Sequence, residues 1–541
     1  MASSFDYIVV GGGSAGSVVA ARLSERSDLQ ILLLEAGGRD RGLLLQMPLA
    51  FRLLRAKMLF DWGLSSEPEP YANDRSIPAA RGRVLGGSSS VNGMMYSRGH
   101  PRDYDQWAQM GAQGWSFEEV LPYFRRSEDN WRGASHWHGA GGPLSVSPMS
   151  HDDPLVRAIE ATARGLGYPV TDDFEGEQPE GFGLPDLTVR NGRRASASQA
   201  YLHPARRRTN LTVVTSAHVR RVLIEGGRAV GVVYQVDGRE RTARCDREVV
   251  LCGGAYASPQ LLMLSGVGPA DHLRDHGIDV LADLPQVGRN LQEHPLTPMG
   301  FRGKKPFDFG GQLRADKVAL AAARWRLTGQ GLMATQPLTS IAFHKSRPGL
   351  ERPDIETMFM PTSLDAKVWF PGARKRADDM LTVLNVALRP SSRGAVTLRS
   401  ADPMAKPKIL FNLLSDPDDM ALLRHSLRWT RELLRQGPIA DYVGEEVFPG
   451  PALQSDAQLD AFTRASSVTA QHPVGTCRMG QDAGAVVDPR LRVRGLQGLR
   501  VADASVMPTL IGGHTNAPAI MIGERAAAMM LEDAQGAPPR A

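Results

Sequence analysis

The chain has 541 residues, of which 42% are hydrophobic and 22% charged, and its formal net charge is +5. This composition excludes collagen, coiled-coil and disordered classes, and one core rarely serves more than about 300 residues, so two domains are expected. The densest basic runs, Arg206–Arg208 and Lys304–Lys305, are not interleaved with stacking aromatic residues, so no nucleic-acid partner is expected.

The first predicted unit is a strand, a glycine-rich turn, a helix and a second strand. Residues 6–10 form a short apolar run, residues 17–26 have apolar positions at helical spacing, and residues 30–35 form a second apolar run. Buried strands that are joined through a helix pair in parallel. The unit therefore predicts the start of a Rossmann-like α/β domain.

The turn of this unit has the pattern Gly-x-Gly-x-x-Gly, formed by Gly11, Gly13 and Gly16. The first glycine permits a tight turn, the second lets a pyrophosphate approach the backbone, and the third lets helix and strand pack closely. Glu35 ends the second strand, where a carboxylate accepts hydrogen bonds from a ribose and repels a 2′-phosphate. The pattern predicts dinucleotide binding and leaves NAD and FAD as alternatives.

The stretch 39–150 is rich in glycine, proline, tryptophan and arginine, and we expect an irregular segment that covers a cofactor. Within it, residues 42–63 mix leucine, methionine and phenylalanine with Arg52, Arg55 and Lys57. We interpret residues 42–63 as a lid or a packed helix. The alternative is a membrane contact through which a quinone is reached.

A second domain with a sheet of its own is predicted by a helix at 317–327 and alternating runs at 354–360 and 380–388. A strand at 499–503 and a helix at 518–531 then complete the first domain. Before the second domain, further strands of the first sheet are predicted at 211–215, 229–236 and 248–252.

Three further motifs narrow the choice of cofactor. They are Arg81-Gly-Arg-Val-Leu-Gly-Gly-Ser-Ser-Ser-Val-Asn-Gly93, Gly254-Ala-Tyr-Ala-Ser-Pro-Gln-Leu-Leu-Met-Leu-Ser-Gly-Val-Gly268 and Gln471-His-Pro-Val-Gly-Thr-Cys-Arg-Met-Gly480. Together with the N-terminal turn, and in this order, they resemble the glucose–methanol–choline (GMC) oxidoreductase family. The resemblance covers nearly the whole chain and is weakest between residues 300 and 460.

The resemblance implies a mixed fold: a Rossmann-like α/β domain that binds FAD and is built from discontinuous segments, and an α+β substrate domain with an antiparallel sheet. The FAD-binding segments are expected at residues 1–155, 206–298 and 465–541. The substrate-domain segments are expected at residues 156–205 and 299–464. The last FAD-binding segment carries the active-site histidines.

The resemblance also implies a set of FAD contacts. Members that bind FAD covalently carry a histidine just before the asparagine that corresponds to Asn92, in the motif Arg81–Gly93. Val91 stands there, so non-covalent FAD is expected. Asn516 is a favourable N-cap and Pro518 fits the first turn of the last helix, whose positive end would face a reduced flavin. The expected contacts are Gly11, Gly13, Ser14, Ala15, Gly16, Glu35 and Ala36 in the first unit; Gly86, Gly87, Ser88, Asn92, Gly93, Met94 and Met95 along the flavin; Val219 and Ala255 near the adenine; Asp503 and Ala504 near the pyrophosphate and ribityl chain; and Asn516 and Ala517 at the pyrimidine edge.

Two histidines are expected to carry the chemistry. Alcohol oxidation needs a base that takes the hydroxyl proton as the hydride leaves carbon, and histidine, with an ordinary pKa of about 6.5, suits this task. The resemblance implies that His472, in the motif His-Pro-Val-Gly-Thr-Cys, is this base. It implies that His514 hydrogen-bonds the substrate oxygen, at a position where the family carries His or Asn.

The sequence therefore predicts an FAD-dependent alcohol dehydrogenase that passes electrons from a small-molecule alcohol, by preference primary and uncharged, to a quinone or another carrier. The first alternative is an oxidase that uses O2, because no motif records oxygen reactivity. A non-redox enzyme resembling hydroxynitrile lyases and a purely binding flavoprotein are further alternatives on the same scaffold. Neither the alcohol nor the oligomeric state follows from the sequence.

The expected location is the cytoplasm, with a position peripheral to the inner membrane as the alternative. The first predicted strand begins near residue 6, and no run approaches about 20 apolar residues, so neither a leader nor a transmembrane segment is expected. The three cysteines are not clustered, and His136 and His138 lack a third ligand, so no metal is expected.

Overall fold

The computed structural model describes residues 4–149 and 153–535. Within these residues the largest structures are two sheets of seven strands each, with helices packed on them. The strands of the first sheet are Ser4–Val10, Ile31–Glu35, Leu211–Thr215, His218–Glu225, Arg228–Val236, Arg239–Leu251 and Leu499–Val501.

The first sheet has a parallel half and an antiparallel half. Ser4–Val10 pairs in parallel with Ile31–Glu35 on one side and with Arg239–Leu251 on the other. His218–Glu225 and Arg228–Val236 add antiparallel strands beyond Arg239–Leu251. The expected strands are present. The strand expected at 248–252 is longer than expected because its polar first half pairs along this hairpin, where exposed and buried positions replace a continuous apolar run.

The second sheet is antiparallel in all the pairs that the described residues form. It confirms the sheet expected in the second half of the chain, including the runs at 354–360 and 380–388. In spatial order its strands are Val443–Phe448, Pro295–Gly303, Met380–Ala387, Ile355–Met360, Ser340–His344 and Gly181–Gly183, and Val468–Thr469 also pairs with Pro295–Gly303.

The composition of residues 39–150 predicted an irregular segment, and this prediction is wrong in part. The stretch contains the helices Pro101–Gln109 and Phe117–Ser127. The second of these begins with a capping box, in which the backbone N–H of Ser116 donates to Glu119 Oε2 at 3.0 Å. This Ser-x-x-Glu spacing is a start signal for a helix. The local pattern therefore outweighs the glycine- and proline-rich composition.

The remaining elements surround the two sheets. The other helices of eight residues or more are Ser14–Leu23, Pro154–Gly165, Gly254–Leu264, Ala315–Thr328, Pro417–Leu433, Asp456–Ser466 and Asn516–Gln535. The shorter helices are Leu43–Gln46, Phe51–Ala56, His203–Ala205, Ala270–Asp275 and Asp308–Gln312. The smaller strands are Glu128–Asn130, Leu144–Pro148, Asp186–Leu187, Val189–Arg190, Arg193–Arg194, Val267–Gly268, Ala282–Asp283, Ala395–Thr397 and Lys408–Leu410.

The first and last long helices pack directly on each other. A Cβ on Gly523 would lie 2.8 Å from the carbonyl oxygen of Ala15, so the helices approach through a position without a side chain. Arg22 Nη2 and Glu524 Oε1 are 2.7 Å apart across the same contact. The chain thus brings its C-terminal segment against the N-terminal turn. Among the described residues, none of the helices combines the length and the apolar composition needed to span a bilayer.

The second sheet buries both of its faces. Phe359 and Val383 belong to a core shared with the helices Pro154–Gly165 and Pro417–Leu433. Neighbouring positions point to the opposite face, where Met358 joins a second apolar cluster. Because successive side chains of a strand alternate between faces, one strand supplies both the core and a wall of the site described below.

Candidate active site

The glycine turn after the first strand leaves room for a ligand at one position. Gly11 has φ +101°, and a Cβ there would lie 2.5 Å from the carbonyl oxygen of Cys252. A Cβ on Gly16 would lie 1.9 Å from the carbonyl oxygen of Gly11. Around Gly13, in contrast, the nearest atom would be 4.0 Å away. The open space therefore lies beside the start of the helix, as pyrophosphate binding requires.

Two helix N-termini meet at this space. The helix Ser14–Leu23 begins without a side-chain cap, and the Ser14 hydroxyl donates instead to Asn516 Oδ1 at 2.8 Å. Asn516 is the first residue of the last helix, so the expectation that it precedes the helix is wrong by one position; Thr515 occupies that place, and its carbonyl accepts the N–H of Ala519. Both helices direct their positive ends at one region, which favours an anionic ligand.

Glu35 is buried and engaged by the turn itself. Its Oε2 accepts the N–H of Gly12 at 2.8 Å, and its Oε1 accepts the N–H of Gly37 at 2.7 Å. Burial raises the pKa of Glu35 to about 7, against the lowering effect of these two donors. The carboxylate therefore stabilises the glycine turn, and each oxygen keeps a lone pair for a ribose hydroxyl. Ala15 and Ala36, also expected at the cofactor, lie in the same unit.

The segment Gly86–Met95 lies against the glycine turn. The N–H of Gly86 donates to the carbonyl of Gly12 at 2.7 Å. A Cβ on Gly87 would lie 2.7 Å from the Cα of Gly13. The two segments that were expected at the pyrophosphate and at the flavin are thus in direct contact. Ser88, Gly93 and Met95 belong to the second segment and are half-buried.

A buried arginine, Arg194, forms hydrogen bonds with the segment Gly86–Met95. Arg194 Nη1 donates to Asn92 Oδ1 at 2.8 Å and to the carbonyl oxygen of Asn92 at 2.7 Å. Asn92 Oδ1 in turn accepts the N–H of Met94, which adopts a left-handed φ of +61°. Burial lowers the pKa of Arg194 to about 9. Residues held in left-handed conformations cluster at functional sites, and here a network of hydrogen bonds fixes one.

Three distant segments join on the other side of the turn. Asp503 Oδ2 accepts the N–H of Gly254 at 2.8 Å and the Ser258 hydroxyl at 2.6 Å. The Thr476 hydroxyl donates to the carbonyl of Ala255 at 2.7 Å. Burial raises the pKa of Asp503. These bonds connect the last strand of the first sheet, the helix Gly254–Leu264 and the histidine-bearing motif. The remaining residues expected at FAD are Val219, in the strand His218–Glu225, Ala504, which follows Asp503, and Ala517, in the first turn of the last helix.

His472 and His514, which the sequence places in separate motifs, lie side by side. Their ring centres are 4.8 Å apart and the rings are inclined at 78°. The backbone N–H of His472 donates to Glu293 Oε1 at 2.6 Å, and Nδ1 of its ring lies 3.0 Å from Nδ1 of His294. Gln471, immediately before it, has a left-handed φ of +69° and offers its carbonyl to Arg81 at 2.6 Å.

The contacts of His294 determine which nitrogen of His472 carries the proton. Burial lowers the pKa of His294 to about 3, and burial followed by the charge of His514 lowers the pKa of His472 well below 6.5, so both rings are neutral near pH 7. His294 Nε2 lies 3.0 Å from the carbonyl oxygen of Leu388, which only accepts. His294 Nδ1 is therefore unprotonated, and His472 must donate through its own Nδ1. Nε2 of His472 is left with a free lone pair.

His514 is held by an acid from the second sheet. Its Nε2 lies 2.9 Å from Oε1 of Glu356, a fully buried residue of the strand Ile355–Met360. The other carboxylate oxygen, Oε2, has no hydrogen-bond partner within the described part of the protein. The contact fixes the orientation of His514 and ties the C-terminal loop to the second sheet.

An apolar wall faces the histidines. It is formed by the face of the second sheet that Glu356 shares, because Met358 and Met360 follow at alternate positions of the same strand. Its buried members are Met94, Met149, Phe174, Leu187, Val189, Leu296, Leu338, Ile341, Phe343, Met358, Met360, Val386 and Leu388.

The sequence did not identify four residues of this site: Glu293, His294, Glu356 and Arg194. A signal existed for the first two, since Gln-Glu-His precedes the apolar strand Pro295–Gly303 and is buried. A signal also existed for Glu356, which interrupts the run Ile-Glu-Thr-Met-Phe-Met. Buried acids and histidines inside apolar runs need partners, and those partners mark a site.

Comparison with known proteins gives a family for this arrangement. The two GMC oxidoreductase family models match residues 5–296 and residues 390–523. The oxygen-dependent choline dehydrogenases of Brucella suis biovar 1 and Rhizobium etli are each 44% identical, over 528 and 530 residues, and each alignment covers 97% of this chain and 95% of the relative.

Solved structures have the same fold. Pyridoxine 4-oxidase from Mesorbium loti is 32% identical with a TM-score of 0.87, and the match covers 98% of this chain and 99% of that one. A variant of formate oxidase from Aspergillus oryzae RIB40, whose structure concerns FAD modification, is 29% identical with a TM-score of 0.91 and covers 99% of both chains.

Proposed function

The chain belongs to the GMC oxidoreductase family, an enzyme family that acts on CH–OH donors and uses FAD, and from this membership we propose that it oxidises a primary, uncharged alcohol to the aldehyde. The observation that carries the proposal is the pair His472 and His514. One ring presents an unprotonated nitrogen, and the other is oriented by Glu356 beside it. An alcohol between them has a base for its proton and a hydrogen-bond partner for its oxygen.

We propose that FAD binds without a covalent bond. The open space at Gly13, the two converging helix N-termini and the segment Gly86–Met95 fit its pyrophosphate and ring. Val91, at the attachment position of covalent members, is an aliphatic residue that packs with Leu45 and Val84. A hydrocarbon side chain offers no atom for a bond to the flavin.

In the proposed reaction, FAD supplies the acceptor for a hydride. Nε2 of His472 takes the hydroxyl proton while the hydride leaves the same alcohol's carbon, so the substrate loses two electrons and two hydrogens and becomes an aldehyde. His514 hydrogen-bonds the alcohol oxygen through Nδ1, because Nε2 is engaged by Glu356. His472 is buried and the side chain of His514 is 15% exposed, so little water reaches the proton transfer.

The apolar wall supports an uncharged substrate. Its acidic residue, Glu356, is hydrogen-bonded to His514, and the rest of the wall is methionine, leucine, isoleucine, valine and phenylalanine. Choline is the second candidate, because the choline dehydrogenases are 44% identical and because Oε2 of Glu356 is unpartnered among the described residues. We place the uncharged alcohol first because the carboxylate of Glu356 is already engaged by His514 through Oε1, and a buried cation requires an anionic partner of its own.

We also propose the division of the chain into FAD-binding segments at 1–155, 206–298 and 465–541, with substrate segments between them. The membership of the two sheets supports it. Two strands of the second sheet do not follow these limits: Pro295–Gly303 begins before residue 298, and Val468–Thr469 lies after residue 464. For the electrons we propose a quinone or another carrier as acceptor, with O2 as the alternative, and a cytoplasmic or membrane-peripheral location.

The test is anaerobic reduction of the bound flavin by benzyl alcohol, by a series of n-alkanols and by choline. Stopped-flow absorbance measures the rate of reduction. Wild type should bleach with the uncharged alcohols, and His472→Ala should bleach about 10²–10⁴-fold more slowly with FAD still bound. Near-wild-type bleaching by His472→Ala would exclude it as the base. A flavin that no alcohol bleaches would favour the lyase alternative, and readmitted air distinguishes an oxidase from a dehydrogenase by the rate at which colour returns.

A further inference from the structure

Exposed large apolar side chains are concentrated on one side of the molecule. Of the 18 such side chains among the described residues, 11 lie in three segments, 43–60, 315–328 and 363–375, which we call the apolar face. On the helix Ala315–Thr328, Leu320 is 72% exposed and Leu327 is 85% exposed. These two leucines stand seven positions apart, on one side of the helix. The helix therefore turns apolar residues toward solvent, where a folded protein gains nothing from them without a partner.

The three segments form one continuous surface. Arg52 donates to the carbonyls of Ser363 and Leu364 at 3.1 and 3.0 Å, which joins the first segment to the third. The N–H of Ala315 donates to the carbonyl of Trp369 at 2.8 Å, which joins the third segment to the second.

Arg193 joins the first segment to the second. Its guanidinium donates to Gln46 in the first segment at 3.1 Å and to the carbonyl of Arg326 in the second at 3.3 Å. The same guanidinium lies 4.7 Å from the ring centre of Trp325. Each segment is thus bonded to the others, and their exposed side chains form a single patch.

The charge of the apolar face is strongly positive. The exposed acids in its segments are Asp316 and Asp365, and the first is already paired with Arg314 at 2.7 Å. Exposed lysines and arginines are several times as many. They are Lys57 in the first segment, Lys317, Arg324 and Arg326 in the second, and Lys367, Arg374 and Lys375 in the third.

The inner side of the same segments borders the active site. Leu54 is buried against Val84 and Val91, next to the segment expected along the flavin. Phe51 lies 3.9 Å from the position of a Cβ on Gly93. Leu53, one residue before Leu54, is exposed on the apolar face. One short helix, Phe51–Ala56, thus separates the flavin side of the site from the apolar face.

We propose that the apolar face docks on an anionic lipid bilayer, with the leucine, methionine and phenylalanine side chains in the headgroup region and the lysines and arginines on the lipid phosphates. Apolar residues surrounded by basic ones are the combination that binds such a surface. A second copy of this chain fits less well, because two such faces would bring like charges together. The docking is independent of the proposed activity, since it needs neither substrate nor turnover.

The test is flotation of the purified, FAD-loaded protein with vesicles of phosphatidylcholine alone or of equal parts phosphatidylcholine and phosphatidylglycerol. We compare wild type with the double variants Leu320→Ser/Leu327→Ser and Lys367→Glu/Lys375→Glu. The matched controls are Leu166→Ser/Leu281→Ser and Arg206→Glu/Arg207→Glu, which make the same changes at exposed positions outside the face. Retained flavin absorbance and melting temperature establish that each variant is folded.

Wild type and both controls should float with the anionic vesicles and much less with phosphatidylcholine. Each variant of the apolar face should bind the anionic vesicles at least about tenfold more weakly than wild type. Added salt should weaken the binding of wild type to these vesicles. The proposal is overturned if wild type floats with neither vesicle, or if the variants of the face float as wild type does. It is also overturned if the protein is a dimer without lipid affinity that Leu320→Ser/Leu327→Ser converts to a monomer, because the face then binds a second copy.

Discussion

The proton on His472 is placed by a neighbour that touches no substrate. Burial and the charge of His514 keep the ring neutral, and His294 accepts from Nδ1, so the lone pair stands on Nε2. When the pH equals the ordinary histidine pKa of about 6.5, half of the rings of a surface histidine are protonated and cannot act as a base. The buried ring keeps its base form below that pH.

The first prediction concerns this pH dependence. A pKa that lies well below 6.5 in the folded protein means that the base is still unprotonated when the pH falls through 6.5. We expect the limiting rate of anaerobic flavin reduction by alcohol to stay constant from neutral pH through this value. Stopped-flow measurements over a pH series check it, with FAD content measured at each pH. A rate that halves near 6.5 would show that His472 titrates as an exposed histidine does.

The second prediction concerns His294 as a positioning residue. His294→Leu removes the acceptor of the His472 Nδ1–H, so the tautomer is no longer fixed, and we expect flavin reduction to slow about 10- to 100-fold. His294→Asn should restore much of the rate, because an amide oxygen accepts in place of Nδ1. Rescue by His294→Asn is the decisive readout, because asparagine restores the acceptor for the His472 Nδ1–H without restoring the shape of the imidazole ring. Equal rates for the two variants would reduce His294 to a packing role.

At this scale the sequence identified residues that lie in local motifs and missed their distant partners. His472 and His514 each stand in a short pattern that can be recognised without the fold. Their partners, His294 and Glu356, lie 178 and 158 positions away in the chain. No spacing rule connects residues at such separations, because only the pairing of strands and the docking of the C-terminal loop bring them together.

Among the elements, the buried strands and helices were predictable and the polar ones were not. The parallel strands have continuous apolar runs, and Leu211–Thr215 was expected with these limits. His218–Glu225 was not expected, because its residues are half-exposed on a hairpin and its sequence alternates imperfectly. The amphipathic helix Phe117–Ser127 was hidden by the glycines and prolines around it, although its capping box is present in the sequence.

The third prediction concerns the junction between the second strand and the glycine turn. Glu35 accepts from Gly12 and Gly37, so Glu35→Ala removes the support of the turn together with a ribose contact. Glu35→Gln keeps one acceptor oxygen and should retain more FAD. We expect FAD dissociation constants in the order wild type, Gln, Ala, from tightest to weakest, measured by fluorescence of released flavin. Fully loaded variants should reduce at similar rates, and unchanged FAD affinity in Glu35→Ala would remove Glu35 from the site.

At the scale of the whole molecule, buried ion pairs connect segments that are far apart in the chain. Arg98 Nη2 and Glu128 Oε1 are 2.6 Å apart, and both side chains are fully buried. His138 lies 3.2 Å from the same carboxylate oxygen through Nδ1 and 2.8 Å from Asp173 Oδ2 through Nε2. In the sequence, His138 stands out only as half of a histidine pair that lacks a third metal ligand. The structure places it between two carboxylates, where its charge stabilises the fold.

The last prediction follows from this charge. Burial alone would lower the pKa of His138, but the hydrogen bonds to Asp173 and Glu128 outweigh it and raise the pKa to about 9. Because the folded-state pKa is above the unfolded value of 6.5, the stabilisation is complete below pH 6.5 and is lost as the pH rises through about 9. It amounts to at most about 3 kcal/mol. We therefore expect His138→Gln to lower the melting temperature most at mildly acidic pH and progressively less toward the alkaline side. Scanning calorimetry of wild type and variant over a pH series measures this, with His136→Gln, two positions away and exposed, as the matched control. A difference between wild type and His138→Gln that does not change with pH would mean that the ring stabilises the protein by packing and not by its charge.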